Sequence, residues 1–340
     1  MNEMRKAYLS DYWVIYSPKR SARPTDFALS KSREKQRRCV FCSGNEALTP
    51  PATLLYISRG DTILKAKDDD GERRSDWAVR CVPNKYPIVG LVGYRSERFN
   101  NFPLRRRSGV GFHEVVIESP QHDDHPHRAS RKQIELWLNA ANDRVRYFAK
   151  HKEVASVVMF RNYGKDAGAS IAHAHSQIIT TPIIPKRIRQ EHAAFKLSRK
   201  TSGDCALCHV RLREIKSPRR ILATPNFSII APWASVFPFE FWIIPKIHRV
   251  SPVELTDHEV EELADVLQIS LTALASLLSD PPYNLVFHMG PAKTHDKLYH
   301  WHIKVYPKLS TQAGFELGSG MYINTVMPEV AAEVLRREIS

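Results

Sequence analysis

Cysteine and histidine recur in this sequence at spacings that could hold metal ions. Two CxxC pairs, Cys39/Cys42 and Cys205/Cys208, stand far apart in the chain. Each pair is followed by an apolar, strand-like segment that ends in a histidine, and later by an HxH motif. The candidate ligands among these histidines are His122 and His173 in the first half, and His248 and His300 in the second. Two thiolates and two imidazoles make a donor set that zinc prefers in structural sites. The sequence therefore predicts two structural zinc sites per chain.

Other interpretations of these residues stay open at this stage. The cysteines could be buried, reduced thiols, since five cysteines including the unpaired Cys81 suit a reducing compartment. They could also form a zinc ribbon that binds nucleic acid, although ribbons are compact and these donor sets run from 39 to 173 and from 205 to 300. His209, beside Cys208, is an alternative ligand.

The second histidine of the first HxH motif is placed for nucleophilic chemistry. His175 lies two residues after His173, so on a strand their side chains share a face with Gln177. If zinc holds His173, His175 is fixed to the same rigid platform. A neutral imidazole is a good nucleophile near pH 7, because its ordinary pKa of about 6.5 leaves a lone pair on one nitrogen.

A polar loop with two glycines precedes this motif, at residues 160–170. Backbone amides near Gly164 and Gly168 could surround phosphate oxygens. Attack of His175 on the α-phosphorus of a nucleoside diphosphate sugar would form a phosphoramidate and release a sugar phosphate. The side chains expected to donate hydrogen bonds to the phosphate are Asn162, Ser170 and Gln177.

These markers occur twice, in the same order and at nearly the same spacing. Residues 113–122 (HEVVIESPQH) align without a gap to residues 239–248 (FEFWIIPKIH), and each segment precedes an HxH motif. A repeated order of this kind indicates a tandem duplication. In the second copy, His302 is followed by Lys304 where the first has Gln177, so we expect the second half to be degenerate and structural.

The elements that must position these residues follow from periodicity. Strands are predicted over 154–160 and 176–181, with an amphipathic helix over 131–150 before them and a longer helix over 252–279 in the second half. The polar segment 185–203 is predicted to be a helical linker. The expected fold is α+β, with two duplicated halves (1–190 and 191–340), each a mostly antiparallel sheet with helices on one face.

Composition narrows the classes of protein. The 340 residues are 43% apolar and carry 50 Lys and Arg against 36 Asp and Glu, a net charge of +14. Disordered, collagen-like and membrane proteins are excluded, and anionic partners are favoured. No uninterrupted apolar segment opens the chain, so we expect a cytoplasmic protein. The basic runs are short and scattered, which is typical of solvated surface and disfavours nucleic-acid binding.

Several motifs together resemble the galactose-1-phosphate uridylyltransferase family of the histidine-triad superfamily. They are residues 160–177, CVFC at 39–42, ESPQH ending at His122 and HWHIKVYP beginning at His300. The resemblance covers residues 17–320. It implies two histidine-triad-like halves, ping-pong exchange of a nucleotide between hexose 1-phosphates through a nucleotidyl intermediate on His175, and a homodimer.

The same resemblance implies roles for further residues. Arg20 and Arg23 correspond to contacts of the diphosphate, and Asn84 to a nucleotide contact. The positions implied to bind nucleotide phosphate are Asn162, Gly168, Ala169, Ser170 and Gln177. The implied sugar phosphate clamp, which reaches the active site of the second subunit, comprises Gly314, Phe315, Glu316, Gly318 and Ser319.

The motifs also depart from the uridylyltransferase pattern. The chain has HAHSQ rather than HPHGQ, a GFELGSG tail and a second CxxC pair, a combination similar to the ADP-glucose phosphorylase branch. The favoured reaction is UDP-glucose with galactose 1-phosphate, giving UDP-galactose and glucose 1-phosphate. The main alternative is ADP-glucose phosphorylase chemistry with the same covalent step. A hydrolase and a zinc-stapled nucleic-acid-binding protein are more distant alternatives.

Overall fold

The structure is a computed structural model of the 340-residue chain and describes residues 2–19, 38–60, 62–69, 71–91, 98–293 and 297–339. Its strands are β1 (Glu3–Lys6), β2 (Trp13–Tyr16), β3 (Leu54–Arg59), β4 (Thr62–Ala66), β5 (Val79–Pro83), β6 (Arg98–Asn101), β7 (Leu104–Arg107), β8 (His113–Ile117), β9 (Ser156–Tyr163), β10 (His175–Thr181), β11 (Arg220–Ala223), β12 (Phe227–Ile230), β13 (Phe241–Pro245), β14 (Tyr283–His288), β15 (His302–Pro307) and β16 (Tyr322–Asn324). Its helices are α1 (Arg131–Ala149), α2 (Lys186–Ser202), α3 (Ala206–Glu214), α4 (Asp257–Leu277), α5 (Gly314–Ser319) and α6 (Pro328–Ile339).

One sheet of eleven strands runs through both halves of the chain, in the order β4-β3-β5-β8-β10-β9-β14-β15-β13-β12-β11. All of its neighbouring strands are antiparallel. The halves meet at a central seam, where Phe160 of β9 lies opposite Val286 of β14. Outward from this seam, β10, β8, β5 and β3 in one half match β15, β13, β12 and β11 in the other. The α+β class and the tandem duplication are thereby confirmed.

The two long helices cover one face of this sheet. Trp137 of α1 and Leu263 of α4 belong to the same buried cluster as Val116 and Ile243 from the strands. Ser130 caps α1 by accepting a hydrogen bond from the backbone N–H of Gln133. This cap fixes the helix start where the apolar periodicity begins.

A second pair of helices packs on the opposite face. Trp242 alternates with Ile243 along β13, so its side chain points away from α4. It packs with Ile188 of α2 and Leu207 of α3 in a separate buried cluster. Helices on a single face are therefore correct for α1 and α4, whereas α2 and α3 add a layer that the sequence did not predict.

Two predicted segments need correction. The segment 185–203 is helical as expected, but Glu191 within it is fully buried, so α2 packs into the second-half core and is more than a linker. The predicted domain boundary falls inside this helix and stays a prediction. The predicted helix 252–279 is divided: Ser251 caps a 3-10 turn, and Thr256 caps α4 separately. Leu255 between them is extended and breaks the helix.

The gap-free alignment of the two halves is one residue out of register in the sheet. The hydrogen-bonded ladders place Ile243, rather than Trp242, at the position of Val116. A shift of one residue turns a strand over. Glu114 and Glu240 match in the alignment, but they therefore face opposite sides of the sheet.

A small sheet joins the two ends of the chain. Strand β2 pairs with β1 in antiparallel and with β16 in parallel orientation. Among the described helices, none combines the length and the apolar composition that crossing a bilayer requires.

Candidate active site

The four residues predicted to form the first metal site meet at one point. Their ligand atoms all lie within 4.8 Å of one another, although Cys39, Cys42, His122 and His173 come from three segments of the chain. The Cys42 Sγ lies 3.4 Å from Nδ1 of His122 and 3.5 Å from Nδ1 of His173. The predicted grouping of these residues is what the structure shows.

The second quartet repeats the first. Cys205, Cys208, His248 and His300 also place their ligand atoms within 4.8 Å of one another. The Cys208 Sγ lies 3.4 Å from Nδ1 of His300 and 3.9 Å from Nδ1 of His248. His209 lies outside this group, because its Nε2 faces the Asp204 carboxylate at 3.2 Å.

Both quartets have the chemistry of a tetrahedral zinc site. A tetrahedron with ordinary Zn–S and Zn–N bonds has S···N edges of about 3.6 Å, which the measured distances approach. The ring Nε2 of His173 faces the Ser119 carbonyl at 2.8 Å, and that of His300 faces the Pro245 carbonyl at 3.0 Å. Donation of Nε2–H to these carbonyls leaves the Nδ1 lone pairs directed at the thiols.

His175 stands next to the first quartet at the start of β10. The turn of the first CxxC pair also packs against it, since the Phe41 ring meets the His175 ring edge-on at 5.4 Å. Between the two histidines, the Ala174 backbone is held on both sides: its N–H donates to the His122 carbonyl and its carbonyl accepts from Glu118 N–H. The first quartet and His175 therefore form one rigid unit.

The hydrogen bonds of His175 decide which of its nitrogens is free. Its Nδ1 lies 2.8 Å from the His173 carbonyl, so Nδ1 carries the proton and donates it. The Nε2 lone pair has no hydrogen-bond partner among the described residues. Burial lowers the pKa of His175 to about 4, so the ring is neutral near pH 7. A neutral imidazole with a free Nε2 is a competent nucleophile.

Gln177 and Asn84 both lie against His113, a histidine that no motif in the sequence marks. The Nε2 of His113 lies 2.8 Å from Gln177 Oε1 and 3.1 Å from Asn84 Nδ2. Its Nδ1 accepts from the Ile88 backbone N–H. Because Nδ1 accepts, Nε2 carries the proton and donates it to Gln177, so His113 positions Gln177 by a hydrogen bond and lies in close contact with Asn84. As an isolated histidine opening a strand, it carried no sequence signal of this role.

The glycine loop lies at the same end of the sheet. Gly164 has φ 80° and Gly168 has φ 86°, so both adopt a backbone conformation that other residues avoid. A Cβ on Gly164 would lie 2.7 Å from Cβ of Pro282 in the second half. Asn162, on the neighbouring strand, shares a sheet face with Gln177 and His175 by register. Ser170 is exposed at the end of the loop.

Comparison with known proteins identifies this arrangement. A family model described as a domain of unknown function (DUF4921) matches residues 127–339. ADP-glucose phosphorylase of Arabidopsis thaliana is 34% identical, with 98% of this chain and 92% of the relative covered. Galactose-1-phosphate uridylyltransferase of Thermotoga maritima is 28% identical over 99% of this chain and 98% of the relative. The crystal structure of the Arabidopsis thaliana phosphorylase with bound ADP-glucose matches 99% of each chain with a TM-score of 0.83 and 32% identity.

The chain belongs to the galactose-1-phosphate uridylyltransferase family. The predicted resemblance is confirmed, and the protein is a nucleotidyltransferase-type enzyme.

The second half of this uridylyltransferase-family chain has a buried ion cluster where the first half has its site. His302 and Lys304 correspond to His175 and Gln177, and His288 corresponds to Asn162 because each lies two residues beyond the seam pair. The carboxylate of Glu191 lies 2.7 Å from Lys304 Nζ and 2.9 Å from His288 Nδ1.

Glu191 is ionised in this cluster. Burial alone would raise the pKa of its carboxyl, but His288 and Lys304 outweigh burial and hold that pKa well below its usual value. Glu191, His288 and His302 also offer three ligand atoms within 4.8 Å of one another. The Lys304 ammonium already neutralises the carboxylate, so this group lacks the free charge that a divalent cation needs.

The implied sugar phosphate clamp forms the short helix α5, which is exposed. Phe315 and Glu316 line a cavity of about 410 Å³ with Phe237 and Tyr322. Among the described residues, α5 makes no hydrogen bond to His175 or Gln177 of its own chain. Arg20 and Arg23, the implied contacts of the diphosphate, lie outside the described residues.

Proposed function

We propose that this enzyme transfers AMP from ADP-glucose to inorganic phosphate through a covalent intermediate on His175, yielding glucose 1-phosphate and ADP. The observation that carries the proposal is the free Nε2 of a neutral His175, held beside the first quartet on β10, the strand next to β9 and its glycine loop. The full-length similarity to ADP-glucose phosphorylase supports the donor.

The first half-reaction makes and breaks one bond each. His175 Nε2 attacks the α-phosphorus of ADP-glucose and forms a P–N bond. The bond from that phosphorus to the bridging oxygen breaks, and its electron pair leaves with glucose 1-phosphate. Asn162, Ser170 and Gln177 donate hydrogen bonds to the phosphate oxygens as charge develops.

The second half-reaction reverses this geometry with a different acceptor. An oxygen of inorganic phosphate attacks the α-phosphorus, the P–N bond breaks, and its electron pair returns to Nε2. The product is ADP. Gln177 is held throughout by His113, so it needs no rearrangement between the two steps.

Zinc is proposed at both quartets, held by Cys39, Cys42, His122 and His173 and by Cys205, Cys208, His248 and His300. When bound, it supplies structural rigidity and neutralises the thiolates, and it takes no part in the bonds that change. The His173 ring then anchors the backbone carbonyl that fixes the tautomer of His175.

A second candidate keeps the covalent step and changes both substrates. Uridylyl exchange between UDP-glucose and galactose 1-phosphate is the reaction that the sequence favours, and the full-length Thermotoga maritima relative supports it. The greater identity to the phosphorylase makes the adenylyl alternative at least equally supported. In either case we propose a homodimer in which α5 reaches the partner's site.

Intact-protein mass spectrometry separates these candidates. The enzyme is incubated with ADP-glucose or with UDP-glucose in the absence of acceptor, and the adduct is mapped to a peptide. An AMP adduct on His175, discharged by inorganic phosphate to give ADP, supports the proposal. A UMP adduct discharged by galactose 1-phosphate supports the second candidate. Absence of any adduct while the sugar nucleotide is consumed would contradict the covalent mechanism.

A further inference from the structure

One asparagine from the second half reaches into the first-half site. Asn284 lies on β14 directly opposite Asn162 of β9 across the central seam. Its Nδ2 lies 2.9 Å from Asn162 Oδ1 and 2.8 Å from the Ala167 carbonyl oxygen. It therefore contacts both the side chain and the loop that are proposed to bind the α-phosphate.

These contacts fix the orientation of the Asn284 amide first, and through it the orientation of the Asn162 amide. The Ala167 carbonyl can only accept, so the Asn284 atom that faces it must be the NH2 group. The remaining hydrogen of that NH2 group then meets Asn162, which must present its oxygen to Asn284. The Asn162 NH2 group is left pointing the other way, and it lies 3.8 Å from the position of a Cβ on Gly168.

We infer that Asn284 is a positioning residue for nucleotidyl transfer: it aims the Asn162 NH2 group at the α-phosphate and holds the loop at Ala167. The inference rests on the proposed function. It assigns the second half a part in the reaction. Asn162 and Asn284 are two identical amides facing each other across the seam, yet their hydrogen bonds direct a free NH2 group only toward the first-half site.

The second half braces the same loop at two further points. Pro282 packs against Gly164, and Tyr163 donates to the Asp280 carboxylate at 2.7 Å. These contacts fix the path of the loop backbone but do not touch the Asn162 amide. Loss of the Asn284 side chain therefore removes the orientation of the Asn162 amide, while the loop stays in contact with the second half through Pro282 and Asp280.

The test is a double-mutant cycle on the adduct-forming step. Single-turnover rates of His175 modification by ADP-glucose, or by UDP-glucose if that is the donor, are measured for Asn284→Ala, Asn162→Ala and the double variant. We expect Asn284→Ala to slow the step by about tenfold with little change in KM. If Asn284 acts through Asn162, the double variant reacts within about twofold of Asn162→Ala alone.

Two further variants keep the test informative. Asn226→Ala is a matched control, since Asn226 is also half-buried in the second half and donates to Glu262, away from the loop. It should leave the adduct rate unchanged. Asn284→Ser keeps one donor and should restore part of the rate, which also answers the case in which Asn284→Ala fails to fold.

Sulfur substitution distinguishes orientation from general support. In an α-thio sugar nucleotide, one diastereomer replaces the oxygen that Asn162 contacts. The Asn284→Ala loss should be smaller for that diastereomer than for the other, whereas a merely structural role would lower both equally. Equal losses, or strictly multiplied losses in the double variant, would overturn the inference while leaving the His175 adduct intact. No adduct on the unaltered enzyme would instead reject the proposed function, and the inference with it.

Discussion

The two halves of the sheet present the same three positions with opposite outcomes. In the first half, Asn162 and Gln177 are partly exposed beside His175 and a glycine loop. In the second, His288, His302 and Lys304 are fully buried around the carboxylate of Glu191.

Glu191 supplies from within the chain the negative charge that a phosphate would bring. A cluster that is already neutralised has no further need of an anion. The difference teaches that one internal carboxylate can fill the corresponding position with ion pairs, while the sheet and both Cys2His2 groupings stay alike in the two halves.

The largest expected effect comes from substituting the histidine that the two halves share, His175 in the first half and His302 in the second. His175→Ala should lower nucleotide exchange by at least about 10³-fold and abolish the adduct, since it removes the Nε2 atom proposed to attack phosphorus. His302→Ala, the matched change in the second half, should leave the adduct on His175. Both are measured by turnover and intact mass. An adduct in His175→Ala would contradict the assignment of the two halves.

The next effect separates the two metal quartets. Cys42→Ser and Cys208→Ser should each lose one equivalent of zinc per chain in metal analysis. Only Cys42→Ser is expected to slow exchange strongly, by about 10- to 100-fold, because its quartet positions His175. Cys208→Ser should instead lower thermal stability. Loss of two equivalents from either variant would show that the quartets are not independent.

The Glu191 cluster predicts a change in stability. Glu191→Ala leaves Lys304 buried without its partner, so we expect a loss of about 3–5 kcal/mol in the free energy of unfolding. The double variant Glu191→Met with Lys304→Met should recover much of it. Urea denaturation provides the measurement. An unaltered free energy of unfolding in Glu191→Ala would mean that the ion pair does not hold the cluster together.

The same cluster predicts a dependence on pH. The pKa of Glu191 is held below its ordinary value of 4.5 in the folded chain. Its stabilisation is therefore complete above about pH 4.5 and declines as the pH falls through the folded pKa. The difference in unfolding free energy between the unaltered chain and Glu191→Gln should shrink on acidification in that range. A constant difference would reject an ionised Glu191.

The smallest effect concerns the loop. Gly164→Ala combines a φ of 80° with a Cβ placed 2.7 Å from Pro282, whereas Gly203→Ala, at φ 78°, meets no atom within 4 Å. We expect a cost of about 2–3 kcal/mol for the first and about 1 kcal/mol for the second in thermal unfolding. Equal costs would show that the second half does not press on the loop.

Much of the site could be predicted because its cysteines and histidines occur at characteristic spacings along the sequence. The CxxC pairs, the histidines and the HxH motifs stand in matched order, and α1 follows a regular apolar period that begins at an N-cap. Such local and repeated signals survive without knowledge of the fold. His175 and the quartets were found in this way.

The remainder depends on contacts between distant segments. Glu191 lies in a helix rich in charged residues, and a glutamate is rarely buried unless it is paired. Its burial is offset by His288 and Lys304, which lie far later in the chain. The predicted alignment of β8 with β13 is wrong for a similar reason. Two apolar segments align equally well when one is shifted by a residue, and only pairing with neighbouring strands fixes the register. Asn284 has no local signal at all.

The central seam has a consequence for any attempt to divide the molecule. Strands β9 and β14 are interior strands only because each half supplies the other's neighbour. A polypeptide ending near residue 190 would leave β9 with a bare row of backbone donors and acceptors, which invites pairing with other chains. The first half is thus a fragment whose β9 edge must be covered by the second half if self-association is to be avoided.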